Sequence, residues 1–148
     1  MNVRLPAVAG FFYEKEPVDL REQVRRCLPD PAPPREIALG AVVPHAGLLY
    51  SGSVAGAVYA SLALPETVIL LGPNHTGEGL PLSLSPADCW ETPLGRVATD
   101  RQLAKHLLKA IPGLKSDEAA HRQEHALEVQ LPFIQLLAEG IKVVAITL

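Results

Sequence analysis

Apolar positions along the chain follow two rhythms. Ile37 to Val43, Thr67 to Leu71 and Lys142 to Leu148 are nearly unbroken apolar runs, the pattern of strands covered on both faces. Between them the apolar residues recur at helical steps. Val54, Ala55, Val58, Tyr59 and Leu62 predict a helix over 52–64, with Ser51 or Ser53 as its cap. Leu103, Leu107, Leu108 and Ile111 predict another from Asp100 to Ile111, capped by Thr99. Leu127, Leu131, Ile134 and Leu137 predict a third from Glu124 to Leu137, in which Pro132 marks a kink or a break. A short helix opens at Pro17 and would bury Val18, Val24, Cys27 and Leu28.

The segment 37–71 therefore reads as strand, helix, strand. Such a unit places its two strands parallel with a right-handed crossover, so the fold class is α/β with a mostly parallel sheet. The prolines at 29, 31, 33 and 34 form a stiff connector within the domain, Val3 to Tyr13 an irregular arm, and Trp90 to Gly95 a turn between short strands. A last strand with no helix after it predicts a truncated sheet. Its open flanks predict an oligomer.

Composition narrows the partners. The 148 residues carry a formal net charge of −3, with 20% charged and 48% hydrophobic residues. No basic patch is present to neutralise phosphates, which argues against nucleic acid. No apolar run approaches the roughly 18–20 residues that cross a bilayer. Cys27 and Cys89 form no CxxC pair and suit a reducing, cytoplasmic setting, and the N-terminus shows no secretory pattern.

The chemistry concentrates in a repeated plan of apolar strand, proline, histidine: Val43-Pro44-His45 and Gly72-Pro73-Asn74-His75. In open α/β sheets ligands bind beyond the carboxyl ends of the strands. Neighbouring strands lie about 4.8 Å apart, so His45 and His75 could share one metal ion. Imidazole suits iron, copper, zinc and nickel, and does not choose among them. Gly47 and Gly52 allow a tight turn after His45. The helix that follows would favour an anionic ligand at its start, with Tyr50 and Ser51 in hydrogen-bonding reach.

A competing pattern lies downstream. His121-Arg122-Gln123-Glu124-His125 matches H-x-x-E-H, in which two helical histidines bind zinc and the glutamate acts as base. A protease of that kind needs a third ligand, and only Glu128 and Glu139 follow as carboxylates. The plainer alternatives are a helix-start glutamate and a polar pair of His125 with Glu128. A further one is that His125 serves the His45/His75 pocket as proton donor or outer partner.

The segments Arg4–Tyr13 (RLPAVAGFFY), Val43–Gly52 (VPHAGLLYSG), Leu71–His75 (LGPNH), Trp90–Gly95 (WETPLG) and Glu124–Phe133 (EHALEVQLPF) together resemble the Memo-like family. Its bacterial and archaeal members are called AmmeMemoRadiSam system protein B. The resemblance implies a three-layer αβα fold similar to the catalytic subunit of class III extradiol dioxygenases, with His45 and His75 lining the equivalent pocket. It implies radical-SAM and AMMECR-type proteins as partners, and eukaryotic relatives are associated with cell motility and with copper or iron handling. Such proteins are about twice this length, so residues 1–148 correspond to the N-terminal part of one Memo-like domain. Further pocket residues would come from the second half.

The reading with the most support is a histidine-lined metal pocket of redox or dioxygenase-like character. In it His45 and His75 hold iron, copper or zinc, and His125 and Tyr50 serve catalysis. A binding or scaffold module that holds a small molecule or anion in the same pocket is the alternative; the zinc protease is a distant third.

Overall fold

Residues Lys142–Thr147 organise the molecule, because both faces of this strand are buried. Val143 and Ala145 enter one core, Val144 and Ile146 another. In a computed structural model describing residues 1–148, the elements in chain order are β1 (Val3–Arg4), α1 (Pro17–Cys27), α2 (Leu48–Ala60), β2 (Thr67–Gly72) and β3 (Ser83–Leu84). Then come β4 (Cys89–Thr92), β5 (Gly95–Thr99), α3 (Arg101–Ala110), β6 (Lys115–Ser116) and α4 (Ala119–Arg122). A 3₁₀ turn (Glu128–Gln130), α5 (Leu131–Leu137) and β7 (Lys142–Thr147) complete the chain.

The seven strands form one mixed sheet. β2 runs parallel to β7 over its whole length, from Thr67 opposite Lys142 to Gly72 opposite Thr147. β7 pairs with β5 near its start, in parallel, and with β3 near its end, antiparallel. β4 and β5 make the hairpin expected around Trp90–Gly95. Helices cover both faces: α1, α2 and α5 border the larger core, and α3 lays Leu103, Ala104, Leu107 and Leu108 on the smaller one. No helix is long and apolar enough to cross a membrane.

Two helices meet closely because a glycine permits it. A Cβ on Gly56 would lie 2.1 Å from the Cys27 carbonyl oxygen, so only glycine lets α2 rest on the end of α1. On the inner side of α1, which packs against α2 and α5, Leu20 and Val24 are fully buried, and Phe133 of α5 stacks on Tyr59 of α2.

Several expectations are corrected. Ile37–Val43 is not a strand: the one bridge nearby, Glu36 to Leu62, precedes it, and Ile37, Leu39 and Val42 are left exposed. An apolar run becomes a strand only where a ladder receives it; β2 pairs with β7 alone, and no strand receives 37–43. The α2 helix begins at Leu48, four residues early, with Gly47 at its cap position and no serine cap; Ser51 donates to the Ala46 carbonyl instead. Asp100, not Thr99, caps α3, accepting from the Leu103 amide. Val18 is exposed, and Leu20 takes the buried place on α1. The helix expected from Glu124 breaks into a loop, a 3₁₀ turn and α5, with Pro132 in the first turn of α5, where a missing amide does no harm.

Candidate metal centre

Each of the three histidines is delivered by a different piece of backbone. His45 follows Pro44, whose carbonyl accepts from Gln130 Nε2 at 3.1 Å; the same amide's oxygen accepts from the buried Tyr59 hydroxyl at 3.0 Å. His75 stands beyond the end of β2, where Asn74 donates its backbone amide to the Leu148 carbonyl and its side chain closes the 74–78 loop. His125 lies in the loop between α4 and the 3₁₀ turn, with the Phe12 ring packed on its imidazole at 4.5 Å.

These pieces converge. The imidazole centroids of His75 and His125 lie 4.5 Å apart, those of His45 and His75 5.2 Å, and those of His45 and His125 6.0 Å. One potential ligand nitrogen from each falls within 4.8 Å of the others. The rings open onto a cavity of about 380 Å³ that Phe11, Phe12, Ala46, Gly47 and Tyr50 also line. A Cβ on Gly47 would meet the Phe12 carbonyl oxygen at 3.2 Å, so glycine brings the N-terminal arm against the start of α2.

Glu124 orders the cluster from behind. It is buried, and its Oε1 lies 2.9 Å from His75 Nδ1 and 3.3 Å from His125 Nδ1. A carboxylate only accepts, so this contact selects the His75 tautomer with its proton on Nδ1, in which Nε2 faces away from Glu124 with its lone pair. Glu124 also accepts from the backbone amides of His75, His125 and Ala126. Burial alone would raise its pKa; the hydrogen bonds from His75 and these amides outweigh burial and hold the carboxyl below its usual range. Burial lowers the His125 pKa, and the charges of His75 and His45 push it the same way against the opposing pull of Glu124. A neutral His125 keeps a lone pair to offer.

The structure brings His45 and His75 side by side, although His45 follows an unpaired run and not a strand, and His125 stands with them in the same cluster. Tyr50 reaches the cavity wall and is 82% exposed. Gly52 does not shape the turn after His45: it lies inside α2, against Cys27. The start of α2 is a poor anion site, since the Leu48 amide donates to Phe12 and the amides of Tyr50 and Ser51 donate to the Gly47 carbonyl. The H-x-x-E-H pair does not share a helical face. His121 is buried on the four-residue α4, its Nε2 donating to the Ser83 carbonyl and its ring edge-on to Trp90. Nor does Glu128 pair with His125; it is buried against Arg4. Sequence reasoning missed Phe12 and Gln130, and weighed Glu124 only as a protease base or helix-start residue. The glutamate directly before a pocket histidine was the available signal.

Over residues 4–148 the chain matches the family model described as Memo-like protein. The chain belongs to the Memo-like family. It is 49% identical over 133 residues to a MEMO1 family protein of Methanosarcina barkeri, covering 90% of this chain and 49% of that one. A MEMO1 family protein of Thermococcus onnurineus is 44% identical over 99% of this chain and 53% of its own. One from Pyrobaculum arsenaticum is 42% identical over 99% and 56%. This Memo-like chain thus spans about half the length of the curated relatives it matches.

Proposed function

We propose that this Memo-like chain supplies a three-histidine metal centre, His45, His75 and His125, to a redox-type reaction at the open mouth of the sheet. The observation that carries the reading is the convergence of one ring nitrogen from each of three imidazoles within 4.8 Å, with one carboxylate behind two of the rings. Three protein nitrogens with further positions left open is the donor set of catalytic rather than structural metal sites. The donors suit iron, copper or zinc. A bound ion would act as a Lewis acid on a substrate oxygen, and iron or copper would add electron transfer.

The chain's own groups do the rest. Glu124 fixes the His75 ring and its tautomer, as carboxylates behind metal-bound histidines generally do. Phe12 shields one face of His125 from water. Phe11 and Tyr50, exposed at the rim, offer aromatic surface to a small substrate, and the Tyr50 hydroxyl offers a hydrogen bond.

Calorimetric titration with zinc, iron(II) and copper(II) tests this. Wild type should bind one equivalent, and His45→Ala, His75→Ala and His125→Ala should each weaken binding at least tenfold. Unchanged stoichiometry and affinity in all three would reject the centre. A pocket that binds a small molecule equally well with and without chelator would favour the scaffold reading instead.

A further inference from the structure

The stretch that carries His45 is held by few hydrogen bonds. Residues 37–46 belong to no helix or strand and make no backbone-to-backbone hydrogen bond, with one another or with the rest of the chain. Two side chains reach it instead. Ser51 Oγ donates to the Ala46 carbonyl at 3.2 Å, in an exposed bond for which water competes. Gln130 Nε2 donates to the Pro44 carbonyl at 3.1 Å from the interior. Pro44 has no amide hydrogen, so that carbonyl is the only hydrogen-bonding group of its backbone.

Gln130 sits on the 3₁₀ turn, buried, with its amide orientation fixed by three partners. Nε2 also donates to the Ala126 carbonyl at 3.3 Å, and Oε1 accepts from the Tyr59 hydroxyl at 3.0 Å. Carbonyls only accept, so the NH2 must face Pro44 and Ala126, which leaves the oxygen for Tyr59. Burial raises the Tyr59 pKa, so the hydroxyl keeps the proton it donates. Pro44 directly precedes His45, and Ala126 directly follows His125. One planar group therefore ties the backbones beside two pocket histidines, whose rings are the pair farthest apart at 6.0 Å. Glu124 ties a different pair: it meets His75 and His125 and makes no hydrogen bond to His45.

We infer that Gln130 is a positioning residue: its side-chain amide sets the distance of His45 from His125, as Glu124 sets that of His75 from His125. Without the amide, His45 would stand on a stretch with one exposed side-chain bond and move away from the cluster. His75 and His125 would keep their common carboxylate. The consequence for a bound ion rests on the metal-centre reading; the placement of His45 does not.

Three measurements test this. In the wild type, the side-chain amide protons of Gln130 should exchange with solvent at least about tenfold more slowly than those of exposed Gln102. Gln130→Met keeps the length of the side chain without its donor. In this variant, free of metal, nuclear magnetic resonance should show the ring-proton contacts of His45 with His75 and His125 lost. Those between His75 and His125 should remain, and the far-ultraviolet circular dichroism should not change. Gln130→Leu should act the same way, which guards against one variant failing to fold. Zinc affinity should fall at least about tenfold in either variant. Adding His45→Ala should then lower it less than about threefold further, because His45 has already left the site. Equal exchange of the two amides would overturn the inference. So would unchanged His45 contacts, loss of all ring contacts together, or affinity losses that add in full. A wild type that binds no zinc would reject the metal centre, while exchange and ring contacts would still decide the role of Gln130.

Discussion

Two polar clusters share the segment 121–130, and they are built to opposite specifications. In the first, Glu128 is fully buried and accepts from Arg4, from the Tyr13 hydroxyl at 2.5 Å and from the amides of Ala7 and Val8. Arg4 in turn donates to the carbonyls of His121 and Glu124 and lies over Trp90 at 4.5 Å. The Arg4 guanidinium and the Glu128 carboxylate are both fully matched within the protein. In the second, Glu124 is equally buried, but the histidines in front of it direct nitrogen lone pairs into a cavity. A closed network specifies structure, and an open one is free to do chemistry. Arg4 joins the two, because it holds the Glu124 backbone while Glu124 holds His75.

The contrast can be broken at four points. Glu128→Ala should have the largest effect, about 3–5 kcal/mol of stability by urea unfolding, because it strands the Arg4 charge in the interior. A loss under about 1 kcal/mol would mean the closed network is dispensable.

Acid comes next. Burial, followed by the Arg4 charge, lowers the His121 pKa to about 4 from an ordinary 6.5, against the opposing hydrogen bond to Ser83. Because the folded value lies below the unfolded one, the unfolded chain takes up the proton first as pH falls. The stability that neutral His121 contributes is whole above pH 6.5 and lost between there and 4, roughly 3 kcal/mol. His121→Gln should flatten that part of a stability–pH profile.

Glu124→Gln should weaken metal binding about 10–100-fold, since it disturbs the partner that sets the His75 tautomer. The smallest expected effect is that of His75→Ala on the metal-free protein, about 1 kcal/mol, because it removes one hydrogen bond to Glu124 while the three backbone amides that hold the same carboxylate remain. A large destabilisation there would place the histidines in the structural cluster after all.

The legible parts of this molecule were those fixed by local pattern. The β2 and β7 runs, α3, the β4–β5 hairpin and the histidine after each proline all follow from residues close in sequence. The unreadable parts depend on distant partners. Residues 37–43 carry a strand's pattern but no ladder receives them, so the expected βαβ pairing gave way to β2 on β7. Glu128 looked like an exposed companion of His125, because nothing near it in sequence announces Arg4, 124 positions away. The third histidine was visible as a residue, yet its arrival beside the other two depends on a loop where periodicity predicted helix.

The convergence of three rings on one ion can be observed directly by following the imidazole resonances of all five histidines during zinc titration. His45, His75 and His125 should shift together and saturate at one equivalent, while exposed His106 and buried His121 stay fixed. Three rings that respond at different zinc concentrations, or a response led by His106 or His121, would contradict a shared centre.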